Sequence, residues 1–191
     1  MAGAGTLLII DPGLQLWGSE RALAATLKAL TEAWDRVVLV TPPDAELAGL
    51  VAGDPATHGP IILRTAPIGM LHKKGGVAKL RAMVALVRLM LELRPARIYL
   101  NQAGLGRLLA PLLRICSVPA TLHVRILEDI PRVMALPATA RAPMDLVFIS
   151  DSMSEAPGPA APAHMRRFQA YDPFPLTPLP EALPIVAPFV S

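Results

Sequence analysis

The chain alternates short, wholly apolar runs with longer segments of helical periodicity. Leu7-Leu8-Ile9-Ile10 comes first, and a loop ending in Trp17-Gly18-Ser19-Glu20 leads directly into a helical pattern. Val37 to Val40, Ile98-Tyr99-Leu100, Ala120 to Val124 and Leu146 to Ile149 repeat the apolar run, and Ile61-Ile62-Leu63 is a weaker instance. A four-residue run without polar alternation fits a strand covered on both faces. Strands interleaved with helices imply right-handed crossovers and a mainly parallel sheet. The expected fold class is therefore α/β, a Rossmann-like three-layer parallel sheet. Such sheets bind ligands at the carboxyl ends of their strands. That rule selects four loops: Asp11 to Ser19, Asn101 to Gly104, His123 to Asp129, and Ser150 to Ser154.

The first helix is expected from Glu20 to about Ala33. Ser19 would cap it, Glu20 would favour its first turn, and Leu23, Leu27 and Leu30 would face the sheet. Val77 to Leu93 reads as a long amphipathic helix with Leu80, Val84, Val87 and Leu91 as its apolar stripe. Arg81, Arg88 and Glu92 are placed on its other side. Pro95 ends that helix. Further helices are expected over Leu105 to Ile115 and around Arg132 to Arg141. From Ala156 onward proline bars a regular helix or central strand, leaving room for one brief strand near Met165 to Ala170.

A chain of 191 residues, 53% apolar and 17% charged, can build one substantial core but not two doubly wound domains. The single cysteine, Cys116, excludes a disulfide framework and a cysteine-rich zinc site, and reads as an inert buried thiol. No secretory signal is legible, and Lys79, Arg81, Arg88 and Glu92 interrupt the longest apolar stretch, so it does not read as a membrane span. A cytoplasmic protein is expected. Net charge is +3, with a basic cluster from His72-Lys73-Lys74 to Arg81. That cluster suits lipid headgroups at the inner face of a membrane as a peripheral contact. No recognition-helix pattern accompanies it, so nucleic acid is not an expected partner.

Several motifs are decoys. Gly3-Ala4-Gly5 precedes its strand, whereas phosphate-binding glycines must lie between strand and helix. Lys73-Lys74-Gly75-Gly76 has its glycines on the wrong side of the lysines for a phosphate loop. No GxSxG elbow surrounds Ser150 or Ser152, and the four histidines lack metal spacing. The better candidates lie on the selected loops. Gly18 and Ser19 combine close backbone approach with exposed helix N–H groups, although taken alone they read first as a plain helix cap. Trp17 is then a cover over the sheet edge. His123 sits at a strand end with Arg125 and Glu128 in the following loop, where an imidazole can bond a hydroxyl or stabilise developing charge. Asn101 opens another loop, and Ser152 follows the last strong strand.

In their order, these segments resemble the N-terminal, acceptor-side domain of the retaining family 4 glycosyltransferases of GT-B fold. Trp17-Gly18-Ser19-Glu20 is similar to the family's Gly-Gly-x-Glu helix start, with tryptophan for the first glycine. Val37 to Pro42 resembles its next strand and Thr-Pro ending. Pro95 to Asn101 is similar to its "rP-D-V-V-H-x-N" segment, with Arg97 and Tyr99 for the commoner Asp and His. Leu122-His123-Val124-Arg125 holds a comparable active-site histidine, and Asp145 to Ser152 resembles an "aD-x-v-x-x-v-S" strand. Arg167 to Asp172 matches the last strand and turn, with Asp172 for asparagine. The resemblance covers about residues 6 to 173.

It implies an N-terminal domain over 1–173, followed by a proline-rich linker and the truncated start of a C-terminal domain over 174–191. The sugar-nucleotide-binding domain with its Glu-x7-Glu region would be the missing partner, and the isolated piece would turn over little or nothing. The complete enzyme would transfer a sugar from a nucleotide-sugar donor to a hydroxyl acceptor, such as a lipid-linked sugar, with retention and without metal or other cofactor. His123 would contact the donor sugar or its transition state. Trp17, Gly18, Ser19, Asn101, Arg125, Glu128 and Ser152 would line the substrate site. The rival expectation is a noncatalytic Rossmann-like module that binds a partner domain or small ligand.

Overall fold

A computed structural model describes residues 5–69, 75–106, 109, 112, 117–136, 142–150, 152–153 and 165–169. Seven strands form one sheet: β1 Thr6–Ile10, β2 Arg36–Thr41, β3 Ile61–Thr65, β4 Arg97–Leu100, β5 Ala120–Val124, β6 Met144–Phe148 and β7 Met165–Gln169. Their order is β3-β2-β1-β4-β5-β6-β7, and all six pairings are parallel. The expected fold class, including the late strand from Met165, is the observed one. Reversal of strand order between β1 and β4 creates the switch point where parallel sheets open a crevice.

Among the described residues four helices precede β4: α1 Gly18–Ala33, α2 Glu46–Gly53, α3 Pro55–His58 and α4 Gly76–Leu93. Sequence reading passed over α2 and α3, which are short and carry Gly49, Gly53 and Pro55. Asp54 holds α3 by accepting from the Thr57 N–H at 3.1 Å.

Alternation along each strand explains why the apolar runs are continuous. Leu7, Ile9, Val37 and Leu39 pack on one face against Leu23, Ala24 and Leu27 of α1 and Leu47 and Val51 of α2. Leu8, Ile10, Val38, Val40, Ile98, Leu100, Leu122 and Leu146 meet Ala82, Leu86, Met90 and Leu93 of α4 in the second, larger core.

Here the structure corrects the reading of α4. The helix ends where Pro95 requires, but of the expected stripe Leu80, Val84 and Leu91 face outward, at 64%, 41% and 66% exposure, and only Val87 packs partly buried against the core. Small and flexible residues, Ala82 and Met90 with Leu86 and Leu93, take the core side instead. Apolar periodicity alone picked the wrong stripe, because both sides of α4 are apolar. Arg81 and Arg88 border the exposed stripe and do not oppose it.

The later segments are only partly within the described residues. Residues 104–106, 109 and 112 are helical, as expected for 105–115, while Cys116 lies outside the description. A 3-10 turn over Leu127–Asp129 and a helix over Ile130–Met134 start earlier than the helix expected around Arg132 to Arg141. Chain beyond Gln169, including the 173/174 boundary, lies outside the described residues. Among those described, no helix is long and apolar enough to cross a membrane.

Candidate functional site

The carboxyl ends of β1, β4 and β5 place Asp11, Asn101 and Arg125 side by side. Asn101 follows the last residue of β4, and its backbone N–H donates to the Ile10 carbonyl at 3.2 Å, extending the ladder by one step. Its side-chain amide donates to Asp11 Oδ1 at 3.0 Å and to the Ser19 carbonyl at 3.3 Å. Arg125 Nη2 donates to Asn101 Oδ1 at 3.3 Å. One asparagine thus joins β1, the start of α1 and the end of β5.

His123 belongs to the same group. Its Nδ1 lies 3.1 Å from Arg125 Nη2 and 2.7 Å from the Tyr99 hydroxyl. A guanidinium can only donate, so Nδ1 is the accepting nitrogen, which assigns the ring proton to Nε2. The Tyr99 ring meets the imidazole edge-on, at 6.2 Å between centroids and 89° between planes. His123 is buried, within β5 and one residue short of its end.

Glu20 closes the near side. Its Oε2 accepts from the Trp17 N–H at 3.1 Å, and its Oε1 accepts from Gln102 Nε2 at 2.9 Å. The helix start differs from expectation accordingly. Trp17 is the N-cap, Gly18 and Ser19 lie inside the first turn, and Glu20 supplies the bond to the cap backbone. Gly18 has open space where a Cβ would stand, so packing does not require glycine there. The constrained glycine is Gly13, whose Cβ would come within 2.4 Å of Glu20 Oε1.

Asp11 is fully buried, and its Oδ2 has no hydrogen-bond partner among the described residues. Burial raises its pKa to about 6; nearby Glu20 adds to the rise, while Asn101, the Gly13 backbone and Arg125 oppose it. Asp11 and Asn101 are both inaccessible, so they brace the site from beneath. Groups with access to a ligand stand above them: Trp17 at 71% exposure, Gly18, and the half-buried Ser19, Gln102 and Arg125. Trp17 is no cover over the sheet edge.

The remaining expected site residues stand apart from this group. Glu128 is exposed in the 3-10 turn and takes no part in the hydrogen-bonded cluster. Ser152 is exposed, with its Oγ 3.1 Å from Ser150 Oγ. Ser150 accepts from the Met153 N–H at 3.3 Å, a local cap after β6. Sequence reading missed Asp11, Tyr99 and Gln102 as members. Asp11 follows directly on β1 and Gln102 lies two residues beyond β4, and those positions were the available signal. Tyr99 faces His123 because β4 and β5 pair Tyr99 with Thr121, and side chains on one face repeat every second residue.

A second polar group occupies the opposite end of the same face. Asp145 accepts from Arg97 Nη1 at 2.7 Å and from Arg166 Nε and Nη2 at 2.8 and 2.9 Å. It ties β4, β6 and β7 near their amino ends. Arg97 thus cross-links the strand as a cation.

No protein-family model matches the chain, and no curated protein matches it. Among solved structures, it is similar to HepE (Alr3699) of Anabaena. Against HepE in complex with UDP and glucose the TM-score is 0.60 at 17% identity, covering 89% of this chain and 45% of HepE. Against the UDP-glucose complex the TM-score is 0.60 at 16% identity, covering 88% and 44%. The chain therefore spans less than half the length of HepE. At such identity the likeness is one of fold.

Proposed function

We propose that this chain is the acceptor-side half of a glycosyltransferase of GT-B type, transferring a sugar from a nucleotide-sugar donor to a hydroxyl acceptor with retention. The observation that carries the reading is the joined cluster Asp11–Asn101–Arg125–His123–Tyr99 at the strand carboxyl ends, beside the exposed start of α1. That is where a parallel sheet presents its ligand, and the likeness in fold to HepE supports the reading. HepE was captured with UDP-glucose, which supports a nucleotide sugar as donor class.

In this reading, a second α/β lobe grips the donor diphosphate opposite the cluster. Arg125, next to the accepting Nδ1, holds the His123 ring in the tautomer with its proton on Nε2, a buried N–H that a sugar hydroxyl would meet only from within the closed cleft. Ser19 and Gly18 face the incoming acceptor from the first turn of α1. A lipid-linked or glycan acceptor and a place in polysaccharide assembly belong to the same proposal.

The burial of His123 and its bond to Tyr99 favour one rival, a binding module whose cluster only braces the strands. Assaying transfer from nucleotide sugars by this chain alone, and joined to a donor-binding half, separates the two. Transfer only by the joined protein is expected. A joined protein that binds donor but transfers nothing to any hydroxyl acceptor would leave the rival standing.

A further inference from the structure

Among the described residues, four of the eight large apolar side chains that stand exposed lie on α4: Val77, Leu80, Val84 and Leu91. At about 100° per residue they fall within an arc of roughly 60°. The stripe runs for about 21 Å at 1.5 Å per residue. Arg81 and Arg88 border it, both exposed, and Arg94 caps the end of the helix. The one acid on α4, Glu92, lies 3.9 Å from Arg64 of β3, which offsets its charge. The outward side of α4 is thus an aliphatic ridge with an uncompensated cationic margin.

We propose that this ridge is a docking surface for an anionic lipid bilayer, with α4 lying in the headgroup plane. Helices that rest on membranes combine these features: an apolar stripe, arginine or lysine beside it, and too little length and hydropathy to span. A protein partner fits less well. Four aliphatic side chains on one helix fall short of the roughly 800 Å² per partner that a stable interface buries. The stripe also contains none of the aromatic anchors that dominate such interfaces. Contact with lipid needs no such area, because apolar insertion and charge attraction add together. Since α4 begins at the carboxyl end of β3, its first turn, with Val77 and Leu80, stands at the same end of the sheet as the candidate site. The inference rests on α4 alone and is independent of the sugar-transfer reading.

The test is co-sedimentation of the 191-residue chain with vesicles of phosphatidylcholine, with and without phosphatidylglycerol, at low and high salt. Binding to the anionic vesicles is expected, weakened by salt. Each cation near such a surface is worth roughly five-fold in partition, so Arg81→Gln/Arg88→Gln should bind about 25-fold more weakly. Leu80→Ser/Leu91→Ser should lose at least about ten-fold, from lost apolar insertion. Both variants alter exposed positions, so circular dichroism and Tm should match the parent. Equal partition of the leucine variant and the parent overturns the proposal, as does equal binding to neutral and anionic vesicles. So does a dimer by light scattering that the leucine variant abolishes without any vesicle binding, which would assign the ridge to a second copy.

Discussion

Asn101 makes three side-chain hydrogen bonds from a fully buried position, and each reaches a different part of the chain. Truncation would take the amide donor from Asp11 Oδ1 and remove one contact each from the Ser19 carbonyl and Arg125. Asn101→Ala should therefore cost about 2–3 kcal/mol of stability by urea unfolding, more than a typical neutral hydrogen bond. Asp11 has a separate signature. Its folded pKa lies near 6, above the ordinary 3.8, so the folded state holds this proton more tightly than the unfolded chain. Its contribution to stability is complete below about pH 4, lost between about pH 4 and 6, and constant above, totalling about 3 kcal/mol. Asp11→Asn should remove that loss. Urea unfolding at pH 4 and pH 7.5 should show the variant close to the parent at the lower pH and more stable at the higher. An identical offset at both pH values would mean that Asp11 titrates normally.

At the level of elements, α4 divides the sequence-legible from the illegible. Its limits followed from a run of helix formers stopped by Pro95. Its orientation did not, because two apolar stripes compete and only the sheet decides which is buried. Leu86→Ala should cost about 2–5 kcal/mol, since it empties a fully buried site. Leu80→Ala, at 64% exposure, should change stability by no more than about 0.5 kcal/mol. Denaturant titration of the two variants checks the orientation. The strands were legible for the opposite reason: a run such as Val37 to Val40 is buried on both faces, so it reads as strand in either orientation. Helices α2 and α3 escaped notice because a helix of eight residues or fewer leaves little periodicity, and α3 depends on one cap at Asp54.

Across the whole molecule, strand order does what no local pattern reveals. Asp11, Asn101 and Arg125 are about 90 and 24 residues apart in sequence, yet adjacency of β1, β4 and β5 makes them neighbours. His123 and Asn101 could be selected as strand-end residues, and Arg125 lies two residues from His123, but the Tyr99 hydroxyl that also orients the imidazole depends on register between β4 and β5. Glu128 and Ser152 show the limit of proximity in sequence: each follows a selected strand and neither joins the cluster. The most direct measurement is kcat/KM for sugar transfer by this chain joined to a donor-binding half, compared between the parent and His123→Ala at matched Tm. A fall of about 100-fold or more is expected for loss of a side chain that meets the reacting sugar. An unchanged kcat/KM would contradict the assignment and leave His123 as a strand brace.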